Sequence, residues 1–313
     1  MINFNSKIFV AGHKGLVGSA IVRQLKEKGY SKVITIDKEK LDLTNQSKVH
    51  NFLKKNKPDF IFLAAAKVGG ILSNNRFKAE FIYNNLSIQL NIIHSAYRCG
   101  IKDIIFLGSS CVYPRDCKQP IKEKYLLGGE LEETNQAYSI AKISGIKMCE
   151  YYSKQYKVNY FSVMPCNVYG PNDNYNSVSS HFLPAIIKKV HEAKIKNKKK
   201  IELWGTGQPL REIIFSDDLA DACIFLLKKK HKKNLINIGS NFEYSITNYA
   251  KIIMDVLKYK CKIDYDRSKP DGVKRKKLDN TLLKKIGWNK KANLKNNILK
   301  TYESFLRTYN YDV

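Results

Sequence analysis

The feature that most constrains this chain lies at its start, where a short apolar run, Lys7-Ile8-Phe9-Val10-Ala11, passes without a spacer into Gly12-His13-Lys14-Gly15-Leu16-Val17-Gly18. The run reads as a buried strand, and the glycine segment opens a helix that the sequence carries to about Lys28. Glycines between a strand and a helix let the backbone approach a pyrophosphate, whose charge meets the helix N-terminus. The next strand, residues 32–36, ends in Asp37-Lys38. An acid at that point binds the adenosine ribose of NAD. Lys14 and Lys38 are conversely placed for the additional phosphate of NADP. The two signals oppose each other, so these residues alone leave NADPH and NADH both open.

Strand and helix patterns then alternate. Leu41-Asp42-Leu43 reads as a brief third strand whose end holds adenine, followed by a helix over 46–56 and a strand over 59–65. A helix over 77–99, a strand over 103–108, a helix over 138–156 and a strand over 160–164 continue the series. Such alternation calls for a Rossmann-type, doubly wound α/β fold, a parallel sheet covered on both faces. Ligands collect at the carboxyl ends of its strands. Those ends carry the glycine loop, Ala64-Ala65-Ala66, Leu107-Gly108-Ser109-Ser110-Cys111 and Pro165-Cys166-Asn167-Val168. After Met164 longer irregular stretches enter, as over 172–180, with helices predicted over 184–194, 219–229 and 245–259. Ser216-Asp217-Asp218 reads as the N-cap of the second of these. The expected organisation is a dinucleotide-binding domain over 1–165, with a returning segment near 210–240, and a smaller α/β substrate-binding domain mainly over 166–313.

Within the predicted helix 138–156, Tyr138 and Lys142 lie four residues apart, on one face. A phenol beside an ammonium is a candidate acid, because a close positive charge favours the phenolate. Ser109, at a strand end, is placed to orient the same substrate oxygen. Tyr265 and Lys269 repeat the spacing, but Pro270 follows Lys269 and disfavours a helix there.

Fifty-five Lys+Arg against 28 Asp+Glu give a net charge of +27. Such a field attracts polyanions, and a basic nucleic-acid-binding protein on a Rossmann scaffold would show it too. The lysines are nevertheless spread along the chain, and the densest clusters, 196–200 and 228–233, fall at expected loops or helix ends, as solvated surface does. No nucleic-acid partner is expected; a nucleotide diphosphate would profit from the field. Seven cysteines without a Cys-x-x-Cys pair argue against a disulfide framework and a zinc ribbon. No apolar run approaches a membrane span and the N-terminus lacks the succession of a signal peptide, so a cytoplasmic protein without membrane association is expected.

Gly12-x-x-Gly15-x-x-Gly18, Ser109 and Tyr138-x-x-x-Lys142 together resemble the extended short-chain dehydrogenase/reductase superfamily. Longer strings, among them residues 64–71, 107–114, 138–145, 167–171, 180–185 and 269–272, are similar to the GDP-L-fucose synthase family, bifunctional 3,5-epimerase/4-reductases of GDP-4-keto-6-deoxy-D-mannose. The resemblance implies that Ser109, Tyr138 and Lys142 are the reductase triad, with Tyr138 giving a proton to O4 and Lys142 also holding the nicotinamide ribose. It implies that Cys111 and His181 exchange protons at C3 and C5. Around the cofactor it sets residues 12–18, Asp37, Lys38, Asp42, Leu43, 107–110, Lys142, Pro165, Asn167, Val168 and His181. Around the GDP-sugar it sets Ser109, Asn167, Lys189, Trp204, Arg211 and Asp271. The family usually has arginine where this chain has Lys14, Lys38 and Lys189; a lysine keeps the charge and loses the bidentate fork.

The related nucleotide-sugar dehydratases have an Asp-Glu pair just after the strand-end serine or threonine, whereas this chain reads Ser109-Ser110-Cys111-Val112. Elimination of water is therefore not expected. The alternative substrate is another GDP-4-keto sugar, such as a heptose, reduced with or without epimerisation. NADPH as cofactor, which Lys14 and Lys38 also favour, with NADH as the alternative, is a further implication of the resemblance, as are a homodimer and a product destined for capsule or another glycan.

Overall fold

The computed structural model describes residues 2–176, 179–229 and 231–309; Lys230 of the basic cluster and the middle of the irregular stretch 172–180 lie outside them. In chain order the first half contains β1 (Ile8–Ala11), α1 (Leu16–Glu27), β2 (Val33–Ile34), α2 (Gln46–Asn56), β3 (Phe60–Leu63), α3 (Ile71–Arg76), α4 (Lys78–Arg98), β4 (Asp103–Leu107), α5 (Gln136–Tyr156) and β5 (Asn159–Pro165). The second half contains β6 (Asn167–Tyr169), α6 (Phe182–Ile195), β7 (Lys200–Trp204), β8 (Leu210–Phe215), α7 (Ser216–Lys228), β9 (Leu235–Ile238), β10 (Glu243–Ser245), α8 (Ile246–Val256), β11 (Lys262–Asp266), β12 (Arg275–Lys276), α9 (Thr281–Ile286) and α10 (Leu294–Thr308).

Strands β2-β1-β3-β4-β5-β9 form one parallel sheet in that order. All four residues of β1 and of β3 are buried, as strands covered on both faces must be. The sheet is the predicted doubly wound α/β architecture. Its order reverses between β1 and β3, the switch point at which such sheets open a ligand crevice. Pairs β4·β5 and β5·β9 extend it, so the segment 235–238 returns to the sheet far from its sequence neighbours. A second apolar cluster, including Tyr169, Ile187, Phe215, Tyr249 and Phe305, gathers α6, β8, α8 and α10. Strand β8 anchors this half, pairing with β6, β10 and β12.

Three local expectations are corrected. Residues 41–43 form no strand: Asp42 Oδ1 accepts from the backbone N–H of Thr44 at 2.9 Å and from its hydroxyl at 2.8 Å, turning the chain, while Leu41 is buried. Ser216 is the first residue of α7 and not its N-cap; the acids behind it pair with Arg23 and Lys290. Helix α3, after Gly69-Gly70, was not expected. Tyr265 and Lys269 are indeed non-helical, the first in β11 and the second in a turn. Among the described residues no helix is long and apolar enough to cross a membrane.

Candidate active site

The loop after β1 is closed by contact. Gly12 takes φ +86°, and a Cβ there would come 2.7 Å from Ala65 at the end of β3; a Cβ at Gly18 would come 2.0 Å from Gly12 O. Gly15 has no such neighbour inside 3.5 Å and ends as the N-cap of α1 without a side-chain cap or an acid in the first turn. The helix thus presents unsatisfied N–H groups from a backbone with no side chain over it, and Gly15, Leu16 and Val17 line the central cavity. A dinucleotide pyrophosphate fits this cradle.

That cavity measures about 1380 Å³. Pockets for one small ligand run to roughly 1,000 Å³, so a dinucleotide and a second ligand can share it. Every predicted site residue except Asp37 lines it. Asp37 instead pairs with Lys14 at 2.9 Å and with His13 Nε2 at 3.2 Å, and the Lys14 hydrogen bond holds its carboxyl below the usual range. The neighbouring Lys38 and Glu39 do line the cavity, the latter unforeseen.

The wall that carries the candidate catalytic residues is built from the end of β4 and the first turns of α5. Ser109 caps the short 3₁₀ turn Ser110–Val112, accepting from Cys111 N–H at 3.2 Å, and its hydroxyl is near enough to the Tyr138 phenol to favour the phenolate. Lys142 is 3% exposed and donates to Leu107 O at 2.7 Å. Its ammonium lies 4.7 Å from the Phe106 ring centroid and 5.9 Å from that of Tyr138. Burial pushes Lys142 down to about 7. The expected lowering of Tyr138 is reversed: burial raises the phenol above its ordinary range, the nearby Cys111 adds to this, and only the neighbouring Ser109 hydroxyl opposes it. Burial wins because it disfavours both charged forms and so weakens the ammonium that was to stabilise the phenolate. The result is a phenol that keeps its proton until a stronger base forms beside it.

Cys111 and His181 reach the cavity from different elements. Cys111 follows the serine turn, and the hydroxyl of Ser139 donates to its carbonyl at 2.9 Å. His181 is the N-cap of α6 in extended conformation. The segment before it is pinned to the start of α3 by the Gly70 N–H, which donates to Ser179 O at 2.9 Å; a Cβ at Gly70 would stand 2.7 Å from Ser180 O. His181 is open to the cavity yet ringed by protein. That desolvation, with the charge of Lys276, pushes the imidazole below its ordinary range. The cation beside Cys111 is again Lys276, unforeseen, whose Nζ lies 3.5 Å from Sγ.

On the opposite wall Lys189 Nζ donates to Glu202 O at 2.7 Å and lies 5.7 Å from the Trp204 ring centroid; Trp204 is 41% exposed. Asp271 accepts from Thr206 N–H at 2.7 Å and from the Thr206 hydroxyl at 2.8 Å. Arg211 Nη2 donates to Asp271 O at 3.2 Å. Gly205 takes φ +71°, and a Cβ there would strike Asp271 Oδ1, so this turn requires glycine. Aromatic face, cations and a carboxylate make a wall suited to a nucleotide.

The chain is similar to known proteins along nearly its whole length. Residues 8–239 match the NAD dependent epimerase/dehydratase family. The chain is 49% identical to a GDP-L-fucose synthase of Sinorhizobium fredii, over 96% of this chain and 95% of that one. It is 48% identical to GDP-L-fucose synthase 1 of Arabidopsis thaliana, over 98% and 95%. Among solved structures, a GDP-mannoheptose C4 reductase from Campylobacter jejuni with NADP bound superposes with a TM-score of 0.89 at 35% identity, covering 97% of this chain and 99% of that one. With the family's fold, its glycine cradle and relatives matched along nearly their whole length, the chain belongs to the NAD dependent epimerase/dehydratase family, within the extended short-chain dehydrogenase/reductases.

Proposed function

We propose that this protein is an NADPH-dependent GDP-4-keto-6-deoxy-D-mannose 3,5-epimerase/4-reductase that makes GDP-L-fucose. The observation that carries the reading is the meeting, on one cavity, of the Ser109–Tyr138–Lys142 group with Cys111 and His181. Relatives that are about half identical over nearly the whole chain and are named GDP-L-fucose synthase support the substrate.

A ketone at C4 acidifies the C–H bonds at C3 and C5. One member of the Cys111/His181 pair removes a proton, leaving the electron pair in an enolate, and the other returns a proton to the opposite face of the carbon. His181, pushed below its ordinary range, is a neutral imidazole near pH 7 and able to accept. NADPH, when bound, supplies hydride to C4; Gly12, Gly15 and Gly18 would hold its pyrophosphate, Lys38 its adenosine phosphate and Lys142 the nicotinamide ribose. Ser109 orients O4, and Tyr138, held protonated by burial, gives O4 its proton. Lys189, Trp204, Arg211, Asn167 and Asp271 bind the GDP-sugar.

The test is incubation with the keto sugar in D₂O without nucleotide: deuterium should enter at C3 and C5. Reduction without that exchange would remove the epimerase half. A second reading, a GDP-4-keto heptose as substrate, is favoured by the Campylobacter jejuni neighbour. Side-by-side turnover of the two sugars separates them, and a strong heptose preference overturns the first. We further propose that the protein acts in the cytoplasm as a homodimer, that its product enters a capsule or other glycan, and that residues 1–165 with the returning segment form the cofactor lobe and the rest mainly the sugar-nucleotide lobe.

A further inference from the structure

The run Arg275-Lys276-Lys277 looks like one solvated basic patch, but its three cations are treated differently. Arg275 is paired with Glu243, its Nε at 2.8 Å from one carboxylate oxygen and its Nη2 at 2.5 Å from the other; Lys277 Nζ reaches the same carboxylate at 3.6 Å. Among the described residues no carboxylate lies within ion-pair distance of Lys276. Its Nζ instead turns inward to Cys111 Sγ at 3.5 Å, with both residues half-buried on the cavity wall.

The backbone that carries Lys276 is held on both sides. Strand β12 pairs with β8 so that Lys276 stands opposite Arg211. Lys277 N–H donates to Gln119 Oε1 at 2.9 Å, and Lys277 O accepts from Ile121 N–H at 2.7 Å. Leu278 N–H donates at 2.8 Å to Glu212, a fully buried carboxylate. A long flexible side chain on such a base still reaches a defined place. The charge of Lys276 is also felt at His181.

We propose that Lys276 is a positioning residue for the C3/C5 proton exchange: its ammonium aims the Cys111 sulfur and shares charge with it whenever the S–H proton is given up. This rests on the epimerase/reductase reading above. In the step concerned a C–H bond of the keto sugar breaks, its electrons enter the enolate, and the proton goes to one of the Cys111/His181 pair while the other protonates the opposite face. Lys276 loses no proton. An N–H donor to a sulfur that carries charge during the step is stronger than one to a neutral thiol, so the stabilisation is largest where it affects the barrier. Hydride transfer at C4 proceeds through Ser109, Tyr138 and Lys142, none of which Lys276 contacts by a hydrogen bond among the described residues.

The experiment compares wild type, Lys276→Met and Lys276→Arg in two half-reactions. Deuterium entry at C3 and C5 of the keto sugar without nucleotide reads proton exchange. Oxidation of GDP-L-fucose by NADP⁺, followed by the absorbance of the NADPH formed, reads hydride transfer alone, since that direction requires no epimerisation to begin. We expect Lys276→Met to slow exchange roughly tenfold to hundredfold, the size of effect that a misplaced reacting group produces, with hydride transfer within about threefold of wild type. Lys276→Arg, which keeps the charge, should recover at least half of the lost effect on a logarithmic scale. Undiminished exchange in Lys276→Met, equal losses in both half-reactions, or no recovery with arginine would overturn the proposal. Absence of exchange in the wild type would instead overturn the epimerase reading on which it rests.

Discussion

Ser139, the residue after Tyr138, donates its hydroxyl at 2.9 Å to the carbonyl oxygen of Cys111. Ser139 is fully buried, so this bond fixes the turn carrying Cys111 to the first turn of α5. Tyr138, proposed for reduction, and Cys111, proposed for epimerisation, are therefore held on one corner, while His181 comes from α6. Ser139→Ala leaves a carbonyl without this donor, which costs about 1–3 kcal/mol. Denaturant unfolding should read that loss, and deuterium exchange and C4 reduction should fall together. A fall in only one of them would mean that the two groups are not mechanically joined.

Tyr138→Phe separates the two halves instead. Removing a positioned proton donor costs roughly 10²–10⁴ in rate. Steady-state NADPH oxidation should drop by that amount, while exchange at C3 and C5 stays within a few-fold of wild type. Loss of exchange to the same extent would place Tyr138 in the enolisation step as well.

How far the sequence was legible follows from what each residue answers to. The four-residue apolar runs of β1 and β3 are buried on both faces, and their pattern survives in any reading. Leu41-Asp42-Leu43 alternates apolar and polar residues as a half-buried strand does, but there a carboxylate bonding two atoms of Thr44 outweighs strand propensity, and burial of Leu41 supplies a false strand signal. The glycine cradle was readable because its contacts are local to strand and helix. Lys276 was not: within Lys274-Arg275-Lys276-Lys277 its letter is that of a surface cation, and only the pairing of β12 with β8 turns it toward Cys111. The reversed shift of Tyr138 was equally hidden, because spacing reports which groups meet and says nothing of the water they lose.

For the nucleotide, the sequence set Asp37 against two lysines, and the geometry removes much of that conflict. Asp37 is occupied by Lys14 and His13 and does not line the cavity, whereas Lys38 does. Lys38→Ala should lower kcat/KM for NADPH about tenfold, the worth of one partly screened ion pair, and leave that for NADH unchanged. Initial rates with both nucleotides at equal low concentration decide it. A loss shared equally by the two would mean that Lys38 does not meet the additional phosphate.

Lys142 gives a prediction about pH that does not depend on the substrate. Burial holds its ammonium at about 7, against an ordinary value of 10.5. Between those values the unfolded chain binds one proton more than the folded one, so this residue makes stability rise with pH across the window and contributes no slope below it. The span corresponds to on the order of 5 kcal/mol at most. Lys142→Met abolishes the slope. It also removes the hydrogen bond to Leu107 O, which shifts the level of the curve and leaves its pH dependence to report on the charge. Thermal unfolding of both proteins from pH 6.5 to 10 should show the variant gaining most relative to wild type near pH 7, with the difference closing toward pH 10. Parallel curves would mean that Lys142 stays fully charged in the fold, held by a partner stronger than the single carbonyl it touches.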